Sequence, residues 1–149
     1  MKAGTSLVEL IIVVAVLGIL AAIVVPQFHG YSVDAKASVA KEGLRILRSS
    51  IELYTSRNGG VPPGYESNDP LGTLSASAFV AQLTTVRRYM SEMPENPFNK
   101  LTTIKMVGNS ASFPGSATGD FGWVYQPATK TIRLDWPGTD KDGVDYFEY

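Results

Sequence analysis

Acidic side chains stand in two places in this chain where their setting asks for an explanation. Glu9 lies at the leading edge of an otherwise unbroken apolar run, Leu7 to Val25, which closes at Pro26. A carboxylate facing lipid at mid-depth costs about 2.5–3.5 kcal/mol on insertion scales, less near the interface, so an acid kept there has a designated partner. Near the other end, Asp140-Lys141-Asp142-Gly143-Val144-Asp145 sets three carboxylates around a glycine turn. Hard cations such as calcium take several oxygen ligands from a tight loop of this kind, which makes Asp140, Asp142 and Asp145 candidate ligands. The register is not that of an EF-hand, and a solvated Asp-Gly turn is the plainer reading of the same residues.

Catalytic constellations are missing. The single histidine, His29, follows the apolar run and has no Ser and Asp set around it, and no phosphate-cradling glycine loop precedes a helix. Cysteine is absent, which excludes disulfides, thiolate metal sites and a Cys nucleophile. With a formal charge of −1 and both signs intermixed, the chain carries no electrostatic footprint for nucleic acid. Trp123, Tyr125 and Trp136 offer stacking surfaces, but at strand spacing they read first as core. The residues point to a protein that is not an enzyme.

Three zones must position these groups. The run 7–25, at 1.5 Å per residue, spans roughly 28 Å, enough to cross a hydrocarbon core. A plain membrane anchor accounts for that length, and a secretory signal peptide accounts for Lys2 and the small residues Ala21-Ala22. Neither accounts for an acid placed five residues after Gly4.

The second zone carries Val33, Ala37, Ala40, Leu44, Leu47, Ile51 and Tyr54 at alternating spacings of four and three, one face of a helix. Asp34, Lys36, Lys41, Glu42, Arg45, Arg48 and Glu52 fall between them on the solvated side. Asn58-Gly59-Gly60 predicts the helix end, and Pro62-Pro63 forbids a restart. Zones one and two read as one helix with a bend at Pro26.

The remainder, 58–149, predicts a small globular head. A short helix is expected over 75–89, followed by strands at 101–107, 122–126 and 131–136. The expected fold class is α+β: an antiparallel sheet of about three strands laid on the stripe of the long helix.

Gly4 followed by Val8-Glu9 and an apolar helix that runs to Pro26 resembles the processing site of the type IV pilin and type II secretion pseudopilin family. Gly59-Gly60-Val61-Pro62 after Tyr54, the turn Met93–Phe98 and Gly122-Trp123-Val124-Tyr125 extend the likeness, which is greatest to major pseudopilins. The resemblance implies a leader peptide 1–4, removed by a prepilin peptidase between Gly4 and Thr5, then N-methylation of Thr5. It implies that Glu9 neutralises the N-terminal amine of a neighbouring subunit. Thr5 departs from the Phe or Met usual at that position. The likeness also implies a calcium ion in the C-terminal loop.

By the same resemblance the chain is a filament subunit that self-assembles into a helical homopolymer. The precursor crosses the inner membrane once through 7–25, with its head in the periplasm. The finished filament lies in the periplasm or at the cell surface. An inner-membrane platform protein, an assembly ATPase and minor pseudopilins are the implied partners. A type II secretion pseudopilin is the leading expectation. The alternatives are a type IV pilus pilin serving adhesion, motility or DNA uptake, and a single-pass membrane-anchored binding module.

Overall fold

The computed structural model describes residues 7–86 and 88–149, with side chains throughout these except at 23–32. The chain forms two compact units, Met1–Ala35 and Lys36–Tyr149. Helix α1, Leu7–Arg57, contributes to both and is helical through Pro26.

Within the second unit the expected stripe is the buried face of α1. Ala37, Ala40, Leu44, Leu47, Ile51 and Tyr54 join one core with Phe79, Leu83, Trp123, Tyr125, Ile132 and Leu134. Val33 does not extend that face: it is 44% exposed and belongs to the other unit. Gly43 sits where α1 meets Trp123; a Cβ there would lie 3.2 Å from the indole Cη2. The helix ends as its residues predict. Gly59 and Gly60 take positive φ (65° and 87°), Gly60 N–H donates to the Thr55 carbonyl at 3.0 Å, and the Asn58 amide donates to the Tyr54 carbonyl at 2.7 Å.

The short helix is shorter than 75–89. Ser75 caps α2, Ala76–Ala81, by accepting from the Ala78 N–H, and a π-helical turn, Gln82–Val86, follows. Thr84 lies in this turn, its hydroxyl bonded to the Val80 carbonyl at 2.8 Å, the competition with the helical ladder that β-branched and hydroxylated residues bring.

The sheet has three strands in the order β1-β2-β3: β1 is Ile104–Met106, β2 Trp123–Gln126 and β3 Thr131–Leu134. It is mixed, not antiparallel throughout. The pair β2–β3 is antiparallel, whereas β1 runs parallel to β2, Ile104 opposite Trp123. Residues 107–122 make the difference, because a connection longer than a dozen residues can carry the chain back to start a parallel neighbour, which a tight hairpin cannot. Between β2 and β3 a 3-10 turn, Pro127–Thr129, closes with Lys130 in the left-handed region (φ 54°).

Strand β2 is buried along its whole length. Its alternation sends Trp123 and Tyr125 into the main core and Val124 to a second cluster with Val107 and Phe147. The C-terminal segment therefore covers the face of the sheet that α1 does not.

Beneath the end of β3 lies a buried carboxylate. Asp135 is 0% exposed and accepts the Thr118 N–H at 2.7 Å, the Thr118 hydroxyl at 2.9 Å and the Phe121 N–H at 3.0 Å. Burial opposes its ionisation, but these donors outweigh burial and lower the pKa. Asn96, equally buried, donates to the carbonyls of Gly122 and Asp135 and accepts the Phe98 N–H. Together they fasten the loop before β2 to the end of β3.

A group whose pKa is lowered by folding contributes stability that is fully present above its unfolded value, near 3.8, and lost as the pH falls through the lower folded value. Thermal melts of the wild type should be flat from about pH 7 to 5 and decline steadily below about pH 4. Asp135→Asn should make that acid decline shallower. At neutral pH, Asp135→Ala should destabilise by about 2–4 kcal/mol by leaving buried donors unpaired.

Candidate assembly site and C-terminal loop

Glu9 lies in the first described turn of α1. Every described side chain from Leu7 to Ala22 is exposed, including Leu7, Val8, Ile11, Val14 and Leu20 at 73%, 63%, 58%, 60% and 52%. The apolar surface runs around the whole helix. A helix apolar on all sides is stable only when surrounded by lipid or by other apolar helices. Glu9 is the single acid in that stretch, and a carboxylate left charged and unpaired in the surroundings that satisfy the leucines and valines is costly.

Among the described residues no helix is long and apolar enough to cross a membrane. The expected span 7–25 includes residues 23–25, whose side chains are not described. Gly4 and Thr5, the predicted cleavage and methylation sites, lie outside the described residues, and so does the His29 side chain.

The C-terminal loop is placed in full, and its three aspartates have three different settings. Asp140 is a hub. One carboxylate oxygen accepts the N–H groups of Asp142 and Val144 at 3.0 and 2.9 Å; the other accepts the Tyr149 hydroxyl at 2.7 Å and the Lys41 ammonium at 3.4 Å. Its side chain is 5% exposed. The Tyr149 hydrogen bond, followed by that of the Val144 N–H, holds its carboxyl at about 2, against a smaller opposing effect of burial.

Asp145 instead caps the following 3-10 turn, Tyr146–Glu148, by accepting the Phe147 N–H at 2.9 Å. Asp142 is exposed. Among the described residues no group of three His, Cys, Asp or Glu side chains comes together to hold a metal ion, and Asp140, Asp142 and Asp145 do not converge. A calcium ion takes 6–8 oxygen ligands. Here the best-placed carboxylate has both oxygens occupied by donors, one of them a cation. The loop as folded does not fit calcium.

Lys41 and Tyr149 escaped the sequence reading. Lys41 reads as an ordinary member of the solvated helix face, and a terminal tyrosine carries no signal. Asp135 did have one, an acid between Leu134 and Trp136 at the end of an apolar strand. The aromatics fall as expected for core residues: Trp123 and Tyr125 are 0% exposed, and Trp136 is partly buried, stacked on Phe98 at 5.5 Å.

A long N-terminal helix, apolar on every side at its start and laid on a small sheet at its end, with one acid in its first turn, defines a pilin-like subunit. The relatives agree. The chain is 32% identical over 148 residues to the type IV major pilin protein PilE of Neisseria gonorrhoeae, an alignment that covers 97% of this chain and 87% of that protein. It is 38% identical over 61 residues to the type II secretion system core protein G of Pseudomonas aeruginosa, covering 41% of this chain and 43% of the relative's length. Core protein G of Aeromonas hydrophila matches at 26% over 97 residues, 65% of this chain and 68% of that protein. No protein-family model matches the chain. No solved structure matches it either. The chain belongs to the type IV pilin and type II secretion pseudopilin family. None of these relatives carries an enzyme's name.

Proposed function

We propose that the chain is the major pseudopilin of a type II secretion system, held in the inner membrane as a precursor and stacked into a short periplasmic filament. The observation that carries a filament role is the start of α1: apolar on every described side and interrupted only by Glu9. Such a helix is satisfied first by lipid and then by the same helices of its neighbours. A prepilin peptidase cuts after Gly4, the new amine of Thr5 is methylated, and Glu9 of one subunit pairs with that amine on the next. The pair removes an isolated charge from lipid on each of two chains, so the anchor is fully satisfied only within an assembly. The platform protein, assembly ATPase and minor pseudopilins act on this subunit, and its role is mechanical, not catalytic.

A second reading, a type IV pilus subunit, is favoured by one comparison: the gonococcal pilin aligns over 87% of its length, against 43% for the Pseudomonas core protein G. Deletion of the gene in its native host separates the two. Loss of secreted proteins into the medium, with no surface fibres to lose, supports the secretion reading. Loss of long surface fibres with secretion intact replaces it with the pilus. Intact mass and N-terminal sequencing of the native protein test both at once: loss of Met1–Gly4 is expected, and an intact Met1 overturns the filament role.

A further inference from the structure

The loop that the resemblance assigns to calcium already contains a cation. Lys41 Nζ, from the middle of α1, lies 3.4 Å from an Asp140 carboxylate oxygen and 4.1 Å above the Tyr149 ring. It therefore meets a carboxylate on one side and the negative face of an aromatic ring on the other. Tyr149 closes the arrangement by donating its hydroxyl to the same oxygen of Asp140 at 2.7 Å.

The tyrosine is itself held. Its ring meets Tyr146 edge-on at 5.6 Å, and its backbone carbonyl accepts a hydrogen bond from the Arg48 guanidinium, two turns of α1 beyond Lys41. Arg48 also donates to the Ile132 carbonyl at 3.2 Å, which joins the end of the chain to both α1 and β3. The loop is thus tied to the long helix by two cationic side chains of that helix.

A divalent ion cannot be added to this arrangement without undoing it. Calcium binds carboxylate oxygens at 2.3–2.6 Å. At that distance from the Asp140 oxygen it would stand against the Lys41 ammonium, repelling it, and would have to displace the Tyr149 hydroxyl. Asp142 and Asp145 do not stand ready to compensate, since one faces solvent and the other caps a turn.

We propose that the Lys41 ammonium is the resident cation of the C-terminal loop, and that this head holds its loop closed without a divalent metal. The consequence is functional. A subunit stapled by its own lysine is ready for assembly whatever the free calcium concentration of the compartment in which it folds, and chelators should not disturb it.

The test uses the full chain in detergent micelles, purified in chelator and then melted with EDTA or with excess calcium chloride. The wild-type melting temperature should differ between the two by less than about 1 °C. Lys41 is 54% exposed, so Lys41→Met should still fold, but it should melt about 3–6 °C lower in both conditions. Hydrogen exchange gives the local readout. The amides of Asp142 and Val144, which donate to Asp140, should exchange about tenfold faster or more in Lys41→Met while the amides of residues 44–51 do not change. Lys41→Arg should restore protection. Tyr149→Phe, which keeps the ring and loses the hydroxyl, should accelerate the same amides by a smaller factor. The proposal is overturned if calcium raises the wild-type melting temperature by several degrees and slows these amides. It is equally overturned if Lys41→Met matches the wild type in both readouts.

Discussion

Glu9→Ala should yield a subunit that is cleaved after Gly4 and retained in the membrane, yet gives at least about tenfold less filament in sheared or cross-linked fractions. The variant removes the only acid from the described apolar start of α1, so the single helix should sit in lipid as well as or better than before. On the proposed assembly mechanism it loses the partner for the neighbour's N-terminal amine, a charge that would then enter the apolar filament interior unpaired. Glu9→Gln should fail in the same way, because an amide keeps the size and the hydrogen-bonding capacity but not the charge. Gly4→Leu should act one step earlier and leave uncleaved precursor with no filament. Immunoblots for precursor and mature forms, beside electron microscopy of shear fractions, separate the two steps. Normal filaments from Glu9→Ala would remove charge neutralisation from the assembly mechanism.

Trp123→Ala is expected to have the largest effect on the head. The indole is 0% exposed, fills the space that Gly43 leaves open on α1, and donates its N–H to the Pro94 carbonyl at 2.9 Å. Its loss leaves a cavity between helix and sheet and an unpaired carbonyl, for a cost of about 3–5 kcal/mol. In a head of this size that lowers the melting temperature by more than about 10 °C. Gly43→Val, which presses a side chain into the same indole from the other side, should destabilise by about 1–3 kcal/mol. Circular dichroism melts of the full-length variants measure both. A Trp123→Ala protein that melts within 3 °C of the wild type, as an order of magnitude, would mean that the helix–sheet contact contributes little to stability.

The long helix was readable because its information is local. The three-and-four spacing from Ala37 to Tyr54 states its own buried face, and Asn58-Gly59-Gly60 states its own end, since left-handed backbone favours glycine there. The apolar start and Glu9 were equally plain, because an acid among leucines and valines is a chemical anomaly that no fold is needed to see. The strands were placed within a few residues by β-branched and aromatic character. Their direction was not. Whether β1 runs with or against β2 depends on the path taken by residues 107–122, and loop composition does not record a path.

The C-terminal acids mark the same boundary. By itself the sequence determined the apolar helix with its one carboxylate, the helical face that receives the head and the absence of any disulfide. Those features arise from composition and from periods of two to seven residues. Only the tertiary structure decided what Asp140 binds, because Lys41 stands 99 residues away in the chain, and Arg48 and Tyr149 are separated by 101. A carboxylate's local pattern shows that it needs a positive or donating neighbour. Which neighbour arrives is set by how the segments pack, and here the packing brought an ammonium and a phenol to the loop.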